Sequence, residues 1–204
     1  MSDINTIIFD LGGVLIDWNP KYVFDENYFS SIEKRDYFFS NICTSDWNEK
    51  QDEGRQITVA TEELVRQFPD WEQPIRDYYD RWTEMLGGPI HETIELFRQL
   101  KENPALKFYA LTNWSAELFP IALKRYDFLH WFDGRVVSGE ERTRKPFPEI
   151  YERLLERYNV NVVEALFIDD SLRNVKGAES ISLQTIHYRN PGQLKNELMT
   201  LNLL

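Results

Sequence analysis

The chain has 204 residues, of which 42% are hydrophobic and 14% aromatic, and this composition is typical of a compact globular protein. Its 34 acidic and 23 basic residues give a net charge of −11, which disfavours nucleic acid and anionic membranes, since both attract clustered cations. The single cysteine, Cys43, excludes an intrachain disulfide, and no stretch has the length and apolarity of a signal or a membrane span. We therefore expect a cytoplasmic protein that binds neither nucleic acid nor membrane.

The first predicted element is a short buried strand, Ile7-Ile8-Phe9, which ends at the carboxylate of Asp10. An apolar run without polar alternation is typical of a strand covered on both faces, as in a parallel sheet between helices. Ligands bind at the carboxyl ends of such strands, and Gly12 and Gly13 allow a tight turn and a close approach to a ligand. Alone, the same pattern also fits an ordinary strand-to-loop turn with a capping aspartate.

Helices separated by polar turns are predicted from Asp17 to Gly88, where no buried-strand run occurs. The polar stretch 44–55 is predicted to be a loop, which is either a flexible connector or, as we favour, a lid over a neighbouring site. We therefore expect a core, residues 1–16 and 89–204, and an inserted helical cap, residues 17–88. Helix starts are predicted at Asn19-Pro20, at the capping-box spacing of Ser30 to Glu33, and at Asp70. One helix is predicted over Thr58 to Phe68, and the last helix is predicted to end at Gly87-Gly88.

After Pro89 the pattern alternates between helices and strands, which predicts right-handed crossovers and a parallel sheet. The fold class is therefore α/β, with a mainly parallel sheet and a small all-helical insertion. The predicted strands of this second part cover residues 108–111, 135–137, 165–168 and 184–186.

Several predicted strands end in polar residues, and parallel topology brings these residues to one edge of the sheet. Lys145 precedes a proline at the start of a following helix and reaches the same edge. Clustered carboxylates repel one another unless a hard divalent cation binds them, and Mg²⁺ prefers oxygen ligands. The sequence therefore predicts a Mg²⁺ site. The strand-end residues are Asp10, Thr112-Asn113, Ser138 and Asp169-Asp170.

A phosphoryl group at this edge would lie opposite Asp10, and carboxylates form covalent phosphoaspartyl intermediates. The hydroxyl of Thr112 is predicted to hold a phosphoryl oxygen, and the ammonium of Lys145 to neutralise charge. Each residue has an ordinary structural role as an alternative. Their joint occurrence at successive strand ends favours catalysis.

Four motifs resemble, in order, those of the haloacid dehalogenase-like hydrolase superfamily, and they span the chain. Within that superfamily the sequence is similar to bacterial phosphatase-like proteins with Asp-Leu-Gly in the first motif. The resemblance implies a Rossmann-like core, a helical cap, Mg²⁺, and Asp10 as the nucleophile. The motifs are Phe9-Asp10-Leu11-Gly12-Gly13-Val14-Leu15, Leu111-Thr112-Asn113, Arg144-Lys145-Pro146 and Phe167-Ile168-Asp169-Asp170-Ser171.

The resemblance also implies a ligand set for the metal. Its members are Asp10, the backbone carbonyl of Gly12 and Asp170, with Asp169 acting directly or through water and Asn174 supporting a metal-bound water.

One position departs from the superfamily pattern. Most phosphatases of the superfamily carry a second aspartate two residues after the nucleophile, as the general acid and base, and this chain has Gly12 there. Because acid–base help contributes about 10²–10⁴-fold to rate, we expect slow turnover, a preference for good leaving groups, or a substitute acid such as Asp17.

The sequence thus predicts a Mg²⁺-dependent phosphatase that acts on a small phosphorylated metabolite, with sugar phosphates as one class. A metal-independent 2-haloacid dehalogenase is an alternative, which an acidic pair beside a haloacid carboxylate disfavours. A weakly active homologue with a binding or regulatory role is another, which Gly12 permits. The predicted substrate-binding residues are Asn113, Trp18, Trp47, Asn48 and Arg55.

Overall fold

The computed structural model describes residues 4–204, and a five-stranded sheet lies at its centre. The order of the strands in this sheet is β5-β4-β1-β6-β7, and every neighbouring pair is parallel, which confirms the predicted α/β fold. The remaining two strands, β2 and β3, form a separate antiparallel ribbon. Along the chain the strands are β1 (Thr6–Phe9), β2 (Ile16–Trp18), β3 (Leu86–Pro89), β4 (Lys107–Thr112), β5 (Gly134–Val137), β6 (Ala165–Asp169) and β7 (Gln184–His187).

The central strand β1 contributes to a separate hydrophobic cluster on each face of the sheet. Ile7 and Phe9 pack into one cluster with Phe97 and Leu194, while Ile8 packs into the other with Tyr151. Alternate side chains of a strand point to opposite faces, so burial of all of them requires helices on both sides. This explains the uninterrupted apolar run before Asp10.

Eleven α-helices are present within residues 4–204. In that part of the chain, no helix is both long and apolar enough to cross a bilayer. The helices are α1 (Glu26–Phe29), α2 (Ile32–Tyr37), α3 (Ser45–Asp52), α4 (Ile57–Gln67), α5 (Glu72–Asp80), α6 (His91–Leu100), α7 (Phe119–Arg125), α8 (Ser138–Glu141), α9 (Pro148–Arg157), α10 (Leu172–Glu179) and α11 (Pro191–Thr200).

Residues 17–88, called the helical segment below, contain α1 to α5 around an aromatic cluster. Phe24 contacts Phe38 and Tyr78 in this cluster, with ring centroids 5.2 and 6.0 Å away. The ribbon of β2 and β3 joins the ends of the helical segment, with Ile16 paired to Pro89. The absence of strands predicted for this segment is therefore wrong at its two ends, and Gly87-Gly88 lie in β3 instead of ending a helix.

The loop predicted over 44–55 is also wrong, because Ser45–Asp52 form α3. The side chain of Thr44 accepts a hydrogen bond from the backbone N–H of Trp47 and so caps the first turn. Only Trp47 and Gln51 are buried along the helix, so its apolar periodicity is weak and its polar composition resembles that of a loop.

Three predicted helix starts also differ from the structure. The first helical turn after Asn19 is a short 3₁₀ turn, Pro20–Tyr22, and Ser31 rather than Ser30 caps α2. Asp70 lies in another 3₁₀ turn, and no side chain caps α5. The helix predicted over 58–68 is confirmed as α4.

Candidate functional site

Three carboxylates meet at the carboxyl edge of the central sheet. In the strand register Phe9 pairs with Ala110 and Ile168, so the next residue, Asp10, lies level with Leu111 and Asp169. One carboxylate oxygen from each of Asp10, Asp169 and Asp170 lies within 4.8 Å of the others. The convergence predicted from the strand ends is therefore present in the structure.

Lys145 is fully buried and connects two of these carboxylates. Its Nζ lies 2.9 Å from Oδ1 of Asp10 and 2.7 Å from Oδ2 of Asp169, and it donates to the carbonyl of Leu111 at 2.9 Å. Three acceptors satisfy the three donors of an ammonium group, which makes burial of its charge tolerable. We call Asp10, Lys145, Asp169 and Asp170 the sheet-edge cluster.

Asn113 fixes the backbone of Lys145. Its Oδ1 accepts from the backbone N–H of Lys145 at 2.9 Å, and its Nδ2 donates to the carbonyl of the same residue at 3.0 Å. The residue preceding Asn113, Thr112, is buried at the last position of β4. Asn113 was predicted to bind substrate, and the structure also gives it this structural role beside the site.

Asp169 is held by donors from the start of α10. The backbone N–H of Ser171 donates to its Oδ1 at 2.8 Å, and Nδ2 of Asn174 lies 3.1 Å from both of its oxygens. The Ser171 side chain makes no capping hydrogen bond, so the carboxylate of Asp169 satisfies this helix start. Tyr151 donates to the carbonyl of Asn174 at 2.7 Å and anchors that turn.

The electrostatics of the cluster disfavour three simultaneous negative charges. Burial raises the pKa of Asp10 to about 8; the Lys145 ammonium opposes this shift, and the negative charges of Asp169 and Asp170 add to it. The pKa of Asp170 is also raised, by burial of its carboxyl group and by Asp169. Burial lowers the pKa of Lys145, but Asp10 and Asp169 more than offset this effect, so its pKa lies above the ordinary value.

The two adjacent glycines differ in what the structure requires of them. Gly13 has φ +74°, and a Cβ there would overlap the carboxylate of Asp170. A Cβ at Gly12 would meet no atom within 4 Å. Gly13 is therefore needed for the backbone turn and for the approach of Asp170, whereas space around Gly12 is open.

The donor set fits a hard divalent cation such as Mg²⁺. Besides the carboxylates, Oδ1 of Asn174 is buried and accepts no hydrogen bond from any residue between 4 and 204. Carboxylate and amide oxygens are ligands that Mg²⁺ prefers, and the backbone carbonyl of Gly12 is the further ligand expected from sequence. Asp10, Gly12, Asp170, Asp169 and Asn174 are the residues that could hold it.

A cavity opens from the sheet edge toward the helical segment. Gly12 and Asn113 line it from the core, and the predicted Trp18 and Asn48 line it from the helical segment. The other lining residues are Asp52, Tyr79, Trp82, Trp114 and Leu118.

The two other predicted substrate-binding residues, Trp47 and Arg55, lie elsewhere. Trp47 is buried against Tyr78 and Tyr79, with ring centroids 5.4 and 5.5 Å away. Arg55 forms an ion pair with Glu63. Asp52 was not identified from the sequence as a site residue. Asp52 follows Asn48 by four residues, which places both on one face of a helix, but this spacing indicates a shared face only if residues 45–52 are known to be helical.

The fold and this edge define a class of protein in which an aspartate ends the first strand, a buried lysine contacts it, and an acidic pair ends a neighbouring strand. The family model described as haloacid dehalogenase-like hydrolase matches residues 4–181. The chain therefore belongs to the haloacid dehalogenase-like hydrolases, which confirms the superfamily predicted from the sequence.

Its relatives include phosphatases. The sesquiterpene phosphatase astK of Aspergillus oryzae is 28% identical over 192 residues, which cover 88% of this chain and 87% of that protein. The phosphorylated carbohydrates phosphatase of Thermotoga maritima is 24% identical over 192 residues, covering 90% of this chain and 84% of that protein. A HAD family enzyme of Bacteroides thetaiotaomicron, solved in complex with magnesium and inorganic phosphate, has the same fold, with a TM-score of 0.66 and 22% identity over 92% of this chain and 95% of that one.

Proposed function

We propose that this hydrolase is a Mg²⁺-dependent phosphatase that cleaves a small phosphorylated metabolite through a phosphoaspartyl intermediate on Asp10. The observation that carries the proposal is the position of Lys145, whose ammonium contacts both Asp10 and Asp169 while Asp170 completes the acidic group. Phosphoryl transfer depends on positioning and on neutralising the charge of the phosphoryl oxygens, and this cluster offers both.

Asp10 is the nucleophile in this mechanism. The backbone N–H of Leu11 donates to Oδ1 of Asp10 at 2.7 Å, and Lys145 contacts the same oxygen. Both contacts therefore orient the carboxylate so that Oδ2 faces the phosphorus. A bond forms between Oδ2 and phosphorus as the bond from phosphorus to the leaving oxygen breaks, and the electron pair leaves with that oxygen.

The other residues support this displacement. Lys145 neutralises charge on Asp10 and on a phosphoryl oxygen, and Asn113 keeps Lys145 in place through its backbone. The Thr112 hydroxyl is proposed to hold another phosphoryl oxygen. Mg²⁺, when bound by the oxygen ligands described above, supplies further positive charge for the phosphoryl group.

The second half of the reaction is hydrolysis of the phosphoaspartate. Water attacks the phosphorus, the bond to Oδ2 of Asp10 breaks, and inorganic phosphate leaves. We further propose that residues 17–88 act as a cap that selects the alcohol half of the substrate, because Trp18, Asn48 and Tyr79 form cavity walls opposite the sheet edge. Sugar phosphates are the first class to test, since one relative is a phosphorylated carbohydrates phosphatase.

A substrate panel tests the proposal. Phosphate release is measured for p-nitrophenyl phosphate, hexose phosphates and an isoprenyl phosphate, each with Mg²⁺ and with a chelator, and halide release is measured for 2-chloropropionate. We expect phosphate release that requires Mg²⁺ and no halide release. Chelator-resistant activity on the haloacid alone would identify a dehalogenase, and no turnover together with no Mg²⁺ binding would favour a regulatory role.

The nucleophile is tested by Asp10→Asn, which should lower turnover by roughly 10⁴-fold or more because no carboxylate remains to attack phosphorus. At about pH 5, where Asp10 is protonated, the thermal midpoint of the metal-free protein should be kept, since Asn preserves the shape of the side chain. The exposed Asp127 provides the matched control Asp127→Asn, which should leave turnover unchanged. Full activity in Asp10→Asn would remove Asp10 from its role.

A further inference from the structure

One cavity carboxylate is unused by the reaction above, that of Asp52 at the end of α3. It lines the same cavity as Gly12, and it belongs to the helical segment whereas Gly12 belongs to the core. Gly12 carries no side chain, and the space where its Cβ would stand is free of atoms within 4 Å. A side chain of the helical segment can therefore approach the sheet edge next to Gly12 without a steric clash at that position.

The carboxylate of Asp52 is held by polar neighbours. Nδ2 of Asn48 donates to its Oδ2 at 2.9 Å, and the hydroxyl of Tyr79 donates to Oδ1 of Asn48 at 3.0 Å. The backbone N–H of Ser115 also donates to Asp52. The donors to the carboxylate come from α3 and the loop after β4, and Tyr79 of α5 holds Asn48 in turn.

The backbone of Asp52 is tied to the core as well. The hydroxyl of Ser138 donates to the carbonyl of Asp52, and Oγ of Ser138 accepts from the backbone N–H of Trp114 at 2.9 Å. Trp114 directly follows Asn113, which holds Lys145. The end of α3 is thereby docked on the loop that carries part of the sheet-edge site.

We propose that Asp52 is the general acid and base of the reaction, supplied by the helical segment in place of the side chain that Gly12 lacks. This inference rests on the proposed phosphatase function. Asp52 gives its proton to the leaving oxygen as the phosphorus–oxygen bond breaks, so the products are an alcohol, the phosphoaspartate and an Asp52 carboxylate. The carboxylate then takes a proton from the water that attacks the phosphoaspartate, which restores both aspartates.

The surroundings of Asp52 suit this exchange. Burial raises its pKa to about 7 and the charge of Glu49 adds to the shift, while the Ser115 N–H and the charge of Arg144 oppose it. The groups on the remaining elements packed against it are neutral: Tyr78 and Tyr79, whose own pKa values are raised, and the Ser138 hydroxyl. A carboxyl group that titrates near neutral pH is both an effective acid and an effective base.

Asp17, the substitute expected from sequence, is directed elsewhere. Its Oδ2 accepts from the hydroxyl of Tyr22 at 2.5 Å, and its carboxylate occupies the space next to Gly87 on the ribbon of β2 and β3. Asp17→Asn should therefore leave the leaving-group dependence of the rate unchanged.

The test compares leaving groups. Asp52→Asn should lower kcat/KM by about 10²–10⁴-fold for a hexose phosphate, whose leaving alkoxide needs a proton. For p-nitrophenyl phosphate, whose leaving phenolate is stable without one, kcat/KM should change only a few-fold. The fall in hexose phosphate kcat/KM above about pH 7 should also disappear in the variant. Asp46→Asn, at an exposed position of the same helix, is the matched control and should retain both rates.

A rescue variant separates acid–base chemistry from packing. Gly12→Asp in the Asp52→Asn background places a carboxyl group in the open space beside Asp10 and should restore at least part of the hexose phosphate activity. Gly12→Ala in the same background adds a side chain without a proton and should restore none.

The outcomes distinguish this inference from the phosphatase function. Equal losses on both substrates in Asp52→Asn, or rescue by Gly12→Ala, would assign Asp52 a structural role and overturn the inference, while the phosphatase function stands. A wild-type protein that releases phosphate from no substrate with Mg²⁺ would overturn both.

Discussion

Two acidic parts of the molecule, the sheet-edge cluster and the end of α3 at Asp52, are held in different ways. The sheet-edge cluster is positioned by strand register and by a buried lysine with three acceptors. The cavity face of α3, with Asn48 and Asp52, is held by tertiary contacts, among them the ion pair of Glu49 with Arg144. The comparison teaches that the position of Asp10 follows from the fold itself, whereas the position of Asp52 depends on how the helical segment docks.

The largest effect is expected from Lys145→Met, which removes the charge that connects Asp10 and Asp169. Breaking a buried ion pair leaves uncompensated carboxylates, so the free energy of unfolding at neutral pH should fall by about 3–5 kcal/mol, and phosphatase activity should be lost. Urea denaturation measures the change. Lys107→Met, at an exposed lysine 3.9 Å from Asp133, is the control and should change stability by about 0.5 kcal/mol or less. A small change at Lys145 would contradict its structural importance to the cluster.

The adjacent glycines should respond differently to the same substitution. Gly13→Ala places a side chain in a left-handed backbone conformation, which costs about 1–2 kcal/mol, and pushes against Asp170. Mg²⁺ binding measured by calorimetry should therefore be strongly weakened. Gly12→Ala should keep Mg²⁺ binding and should stabilise the protein slightly, if at all, because the site is open. Equal Mg²⁺ affinities in the two variants would contradict the placement of Asp170.

The pH dependence of stability should identify the sheet edge as the site that needs a cation. Burial raises the pKa of Asp10 from 3.8 in the unfolded chain to about 8 in the folded protein. Protonated Asp10 therefore favours the folded state at low pH, and this contribution to the free energy of unfolding is lost as the pH rises through about 8. In chelator, Tm should fall by several degrees between about pH 5 and pH 8, and Mg²⁺ should raise Tm more at the higher pH. Asp10→Asn should flatten the profile in chelator. A Tm gain from Mg²⁺ that is independent of pH would contradict this account.

The smallest effect is expected on the α3 side, from Glu49→Gln. Oε2 of Glu49 lies 2.9 Å from Nη2 of Arg144, and both side chains are 16% exposed. The free energy of unfolding should therefore fall by about 1 kcal/mol. Because the charge of Glu49 raises the pKa of Asp52, the fall in hexose phosphate kcat/KM at alkaline pH should begin at a lower pH in this variant. Glu95→Gln, from an exposed pair with Arg98, should change neither quantity. If kcat/KM falls at the same pH in Glu49→Gln as in the wild type, the coupling of Glu49 to Asp52 would be contradicted.

The sheet-edge residues could be predicted because local pattern and topology determine them together. The apolar runs before Asp10 and Asp169 indicate strands buried on both faces, and parallel strands end at one edge. The arrangement of Lys145 among three acceptors required the structure, since its partners come from β1, β4 and β6.

The α3 side could not be predicted in the same way. Its helix buries only Trp47 and Gln51, so the periodic signal that indicates a helix is weak. The position of Asp52 further depends on Ser115 and Ser138, which are distant in sequence and are brought to α3 by docking. Trp47, predicted to contact substrate, packs between α3 and α5 against Tyr78 and Tyr79 instead, since burial of a large aromatic side chain is strongly favourable.

The open space around Gly12 bears on how such a site can change over generations. A single base change converts a glycine codon of the GGY type into an aspartate codon, and the backbone at this position leaves room for the new side chain. If the helical segment supplies the proton, the core remains one substitution away from supplying its own. Under the proposed mechanism, a single substitution at Gly12 would therefore move the acid–base function from the helical segment to the core.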